Sequence, residues 1–215
     1  MKRMAIKPIL FNTEMVRANL DGRKTCTRRA LKHPFIVHPN GYITKPRGNE
    51  NLCPYEPPYQ PGDILYARET WGISNMDYES KTVYIVYRAS KEQENEGCRE
   101  VHLPDEKFEK MYESMAESEP EWRPSIHMPK EAARIWLKVT DVSVERLQNI
   151  NINGIRNEGL SSAAVHAGDM DIAVEEWKTL WNSTIKKSDL DRYGWDANPY
   201  VFVIEFERCE KPEYA

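Results

Sequence analysis

The chain has 215 residues, 40% of them hydrophobic with six tryptophans, and a formal charge of −4 at pH 7. That composition excludes a disordered polypeptide, is long enough to bury a sizeable core, and offers no apolar run near the roughly 18–20 residues that cross a bilayer. The charge is uneven: residues 1–48 carry eleven basic against two acidic side chains (+9), leaving −13 for the remainder, of which the run Glu92 to Glu121 holds −8.

Pro8 to Phe11 is a short apolar strand. Asn12 or Thr13 then caps a helix in which Met15, Val16, Ala18 and Leu20 recur at helical spacing, and Gly22 follows as its C′ residue. The segment Lys24-Thr25-Cys26-Thr27-Arg28-Arg29 is threonine-rich and reads as extended. Residues 33–62, rich in proline with Tyr55 and Tyr59 among Pro54, Pro57, Pro58 and Pro61, read as a long loop of polyproline character. Ile64 to Trp71 is expected as one strand, with Leu65, Ala67, Glu69 and Trp71 on a shared face; Val83 to Tyr87 is a second strand. Residues 89–121 are a charged, solvated insertion with a helix around Phe108 to Met115, followed by a stiff loop from Trp122 to Pro129. Ile135, Leu137 and Val139 alternate with Trp136, Lys138 and Thr140 in a half-buried strand running toward Val144. Asn149 to Gly159 is turn-rich, Ala173, Val174, Trp177, Leu180 and Trp181 mark an amphipathic helix, and Val201 to Phe206 is a final apolar strand. The pattern is that of one α+β domain over residues 1–215, with insertions at about 33–62 and 89–130.

Lys24 to Arg29 is the densest polar cluster. Strict alternation would separate Lys24, Cys26 and Arg28 from Thr25, Thr27 and Arg29, so Lys24 and Thr27 meet only if a turn or bulge intervenes. Such a group binds phosphate or polarises a carbonyl beside a hydroxyl nucleophile, or else is simply a basic edge strand. Glu69 is predicted to point inward, where a buried carboxylate needs a partner; Arg28 and Arg29 are the natural ones. His127, with Trp122 and Arg123, forms either a pocket for a planar ring or a packed loop corner. Cys26, His33 and His38 match no zinc spacing and lack a fourth ligand, so no metal is expected. Four scattered cysteines without a CxxC pair point to a reducing compartment, and the basic N-terminus is followed by no apolar stretch of a secretory signal. Dinucleotide, NTP, GxSxG hydrolase and zincin motifs are absent from the sequence.

Gly22-Arg23-Lys24-Thr25-Cys26-Thr27-Arg28-Arg29 resembles the GxKxxTxR signature of ASCH domains, small β-barrels related to the RNA-binding PUA domains. The helix before it, Gly62-Asp63-Ile64-Leu65 after it, and Val201 to Glu205 fit the same pattern. Leu65 to Trp71, Trp122 to Pro129 and Trp195-Asp196-Ala197-Asn198-Pro199 look like the larger phage and prophage members. The resemblance implies a PUA-like β-barrel with flanking helices and long loop insertions, residing in the cytoplasm (the host's, if phage-encoded). Some compact members are amidohydrolases that deacetylate N4-acetylcytidine with a lysine, a threonine and a glutamate. By that resemblance Lys24, Thr27 and Glu158 would be catalytic, with Glu158 matched by its place after the strand Ile135 to Val144. Arg28, Arg29, Glu69, Trp71, Trp122, Arg123 and His127 are the candidate substrate-binding residues. The expected ligand is a modified nucleoside, a nucleotide or RNA, with no cofactor, metal or membrane partner. A non-catalytic nucleic-acid binding module and a ribonuclease are the alternatives.

Overall fold

The computed structural model describes residues 4–32, 34–40, 42–47, 51–90, 98–115 and 122–213. His33 and parts of the acidic run, residues 92–97 and 116–121, lie outside the described residues. In chain order the elements are β1 (Ile6–Leu10), α1 (Thr13–Leu20), β2 (Cys26–Ala30), β3 (Ile36–Val37), β4 (Ile43–Arg47), β5 (Asn51–Pro54), β6 (Ile64–Arg68), β7 (Trp71–Asp77), β8 (Thr82–Tyr87) and β9 (Cys98–His102). They continue with α2 (Asp105–Met115), β10 (Trp136–Arg146), α3 (Ile152–Asn157), α4 (Ala163–Ala167), α5 (Met170–Ser183), α6 (Leu190–Tyr193) and β11 (Tyr200–Cys209). The fold is α+β, divided into two compact units: residues 1–21, 64–137 and 208–215, and residues 22–63 and 138–207.

In the first unit β1 pairs with β6 in parallel, Ile6 opposite Ile64 and Leu10 opposite Arg68. Asn12 caps α1 by accepting from the Met15 amide at 2.9 Å, which fixes the helix start at Thr13. The expected single strand from Ile64 to Trp71 is broken at Glu69 and Thr70. There β6 ends and β7 begins, pairing antiparallel with β8, which itself pairs with β9. Glu69 and Trp71 therefore do not share a strand face with Leu65 and Ala67. The core of this unit gathers Trp71, Ile73, Val83, Ile85, Met128 and Trp136 with Phe108, by which α2 is anchored. The helix starts three residues earlier than periodicity suggested because Asp105 and Glu106 occupy its first turn, where acids are favoured.

In the second unit β10, β11 and β2 lie in that order, β11 running antiparallel to β2 with Val203 opposite Arg28 and Ile204 opposite Thr27. Val201 and Val203 of β11 pack with Ile155, Val165, Ala173, Trp177 and Trp181, so α3, α4 and α5 cover that face of the strand. The region expected as loop, 33–62, holds the small sheet β3–β4–β5. Its prolines are compatible with pairing by position: Pro54 is in an edge strand, and Pro46 lies beyond the overlap of β4 with β3. The expectation of a closed barrel is corrected. Among the described residues the strands form open sheets, because the chain on either side of β6 folds into small sheets with edges of their own.

Candidate active site

The site is built where the segment after Gly22 meets the end of α3. Gly22 takes a positive φ of 71°, which turns the chain into β2 at little cost to a glycine. A helix end leaves carbonyls without intrahelical donors, and cations favour that pole. Here the Thr25 amide donates to the Asn157 carbonyl at 2.8 Å, Lys24 Nζ to the Glu158 carbonyl at 2.9 Å, and Arg23 Nη1 to the Gly159 carbonyl. The residues Arg23 to Thr25 thus cap α3 and lock Glu158 beside Lys24.

Lys24 Nζ also lies 2.7 Å from Glu158 Oε2, with both side chains almost wholly buried, at 1% and 3% exposure. Glu158 Oε1 accepts from Arg28 Nη1 at 3.2 Å. Arg28 Nε and Nη2 in turn donate to Glu145 Oε1 at 3.0 and 2.8 Å. Two cations and two carboxylates therefore form one chain, Lys24–Glu158–Arg28–Glu145, whose charges balance. Burial alone would lower the pKa of Arg28, but Glu158, Cys26 and Glu145 outweigh it and hold the guanidinium above its ordinary value. Gly154 in α3 makes room: a Cβ there would stand 3.0 Å from Arg28 Nη2 and 2.9 Å from Ile150 Cγ1.

Cys26 Sγ accepts from Arg28 Nη1 at 3.7 Å, which puts both side chains on one face of β2. Burial, and then the Glu158 charge, push the thiol from 9.0 up to about 12, against the opposing pull of Arg28 and Lys24. Burial likewise raises Tyr87 from 10.0 to about 12 in the first unit, where its hydroxyl donates to the Ala132 carbonyl at 2.6 Å. Both groups have folded-state pKa values above the ordinary ones, so their stability contribution is complete below those ordinary values and is lost as pH rises toward about 12. The expected result is a urea midpoint that falls steadily above pH 9.0. Combining Cys26→Ala with Tyr87→Phe flattens that fall; an unchanged slope contradicts it.

Thr27 is buried at 5% exposure and lies between Cys26 and Arg28 in the strand. By alternation it takes the opposite face, with Arg29. Arg29, opposite Phe202 in the register, is half-buried; desolvation lowers its pKa, while Tyr59 and then Glu158 oppose that shift.

The remaining candidates belong to the first unit. Glu69 is 1% exposed and is paired there with Arg134, not with Arg28 or Arg29: Arg134 Nε and Nη2 reach its two oxygens at 2.9 Å each. Arg28 and Arg29 are the natural partners in the densest basic cluster of the chain, whereas Arg134 sits inconspicuously before β10. Trp71 is buried and exchanges main-chain hydrogen bonds with Arg123, whose guanidinium lies 5.5 Å from the Trp71 ring centre. Trp122 is half-exposed against Gly72, and His127 is exposed in a short 3₁₀ turn.

Glu145 and Gly154 were not anticipated. Glu145 shares the strand parity of Leu137 and Val139, a cue blunted by exposed Asp141 and Ser143 on the same parity. Among the described residues no three His, Cys, Asp or Glu side chains are grouped so as to hold a metal ion, and no helix is long and apolar enough to cross a membrane. Comparisons with protein-family models, curated proteins and solved structures yield no match.

Proposed function

We propose that this chain is an ASCH-type protein, related to the PUA-like fold, that hydrolyses an acylated nucleoside of the N4-acetylcytidine kind. The observation that supports this reading is the 2.7 Å pair between Lys24 and Glu158, 134 positions apart, which the resemblance names together. In such a hydrolysis the amide C–N bond breaks, water supplies the hydroxyl of the released acetate, and the amine nitrogen takes up a proton. Lys24, held by the carboxylate and the carbonyl of Glu158 in a desolvated setting, suits the stabilisation of a developing oxyanion. Both Glu158 oxygens face cations, which suits an orienting role. For Lys24 to act instead as the base for a hydroxyl, its proton must first pass to Glu158 Oε2, a transfer that Arg28 opposes. Thr27 enters this reading through the resemblance alone, since by alternation it takes the face of β2 opposite to Arg28.

The experiment is acetate release from N4-acetylcytidine and a panel of acylated nucleosides by wild type, Lys24→Ala and Thr27→Ala. Lys24→Ala is expected to lower kcat/KM by about 10³-fold or more, and Thr27→Ala by about 10²-fold or more. Loss with Lys24→Ala alone removes the threonine from the mechanism and leaves direct attack by water. No loss with either rejects the hydrolase reading.

A second reading, a nucleic-acid binding module, is favoured by one observation: the Trp122 ring is half-exposed, which suits the stacking of a base. Steep salt dependence of RNA binding that is lost with Trp122→Ala would support it.

A further inference from the structure

We infer that Glu145 is a positioning residue for the Lys24–Glu158 pair, acting through Arg28; this rests on reading that pair as the reactive site. A guanidinium and a carboxylate prefer a forked, two-bond contact. Left to itself Arg28 would take both oxygens of Glu158 in this way and draw the carboxylate from Lys24. Glu145 prevents it. Glu145 Oε1 accepts from Nε and Nη2 of Arg28 at 3.0 and 2.8 Å and draws the guanidinium toward itself, and Nη1 gives Glu158 a single bond, at 3.2 Å. The second Glu158 oxygen is thereby left to Lys24, at 2.7 Å.

Two further features hold this division. Gly154 carries no Cβ, and one placed there would stand 3.0 Å from Nη2, so the guanidinium lies close against α3 on its Glu145 side. Arg28 is also nearly buried, its side chain 6% exposed against 29% for Glu145, so water competes weakly for the guanidinium. Arg28 accordingly serves the site as a shared counterion that Glu145 keeps from monopolising Glu158.

The test uses full-length wild type, Glu145→Gln, Arg28→Met and the double variant, with two readouts. The first is the ¹⁵Nζ resonance of Lys24 in lysine-labelled protein, identified by its loss in Lys24→Arg. The second is kcat and KM for acetate release. Glu145→Gln is expected to shift or broaden the Lys24 signal and to lower kcat about 10- to 100-fold, with KM within about threefold. Arg28→Met removes the group through which Glu145 acts, so the double variant is expected to lose no more kcat than Arg28→Met alone; a merely structural salt bridge gives additive losses instead.

An unchanged Lys24 signal in Glu145→Gln, or a double variant worse than either single one, overturns the inference. Should Glu145→Gln not fold, Glu145→Asp keeps the charge on a shorter arm; a Lys24 signal displaced from wild type supports the inference and an unaltered signal overturns it. If wild type releases no acetate, the substrate reading fails, and the resonance still decides the role of Glu145.

Discussion

Replacing Glu158 by glutamine is expected to destabilise the protein by about 3–5 kcal/mol, and replacing Lys24 by methionine by roughly half as much. The asymmetry follows from the order of charges in the buried chain. Glu158→Gln removes the carboxylate that faces both Lys24 and Arg28. Arg28 keeps Glu145, but Lys24, with a side chain 1% exposed, keeps the main-chain carbonyl of residue 158 without the carboxylate charge. Lys24→Met leaves Glu158 still paired with Arg28. Urea unfolding at pH 7 with matched m-values measures the difference. Equal losses, or a larger one for Lys24→Met, would show that Glu158 is not the hub of the cluster.

Arg134→Met carries the other large effect, about 3–5 kcal/mol, and concerns the first unit alone. Glu69 is 1% exposed and both its oxygens accept from Arg134. Arg134 also donates to Ser90 Oγ at 3.0 Å and lies 4.2 Å from the Tyr87 ring centre, so the variant strips a buried carboxylate and a ring face together. The pair stands at the break between β6 and β7, so its loss is expected to increase amide exchange at Arg68 and Trp71 as well as lower the urea midpoint. A loss below about 1 kcal/mol, the range of exposed ion pairs, would contradict this account.

How legible these features were depends on how local their causes are. The cap at Asn12, the β8 and β11 strands, and the Ala173, Trp177 and Trp181 face of α5 rest on neighbouring residues, and periodicity found them. The small sheet β3–β4–β5 was hidden because prolines masked strands in which they take permitted positions. The break at Glu69 was hidden because an alternating pattern continues through it, while the residue that draws Glu69 aside lies 65 positions away. In the site, Lys24 and Glu158 were named through a resemblance. Their contact, and the place of Arg28 between two carboxylates, depend on β10, β2 and α3 meeting in space, which no window of sequence contains.

In the proposed hydrolase the buried Lys24–Glu158 pair is kept for chemistry and not for stability. The most direct test is the double variant Lys24→Met/Glu158→Gln, assayed for N4-acetylcytidine hydrolysis alongside its urea midpoint. Replacing both partners of a buried pair is often neutral or stabilising. The expected result is a protein at least as stable as Glu158→Gln alone whose acetate release is at the uncatalysed rate. A stable double variant that hydrolyses as fast as wild type would contradict the claim.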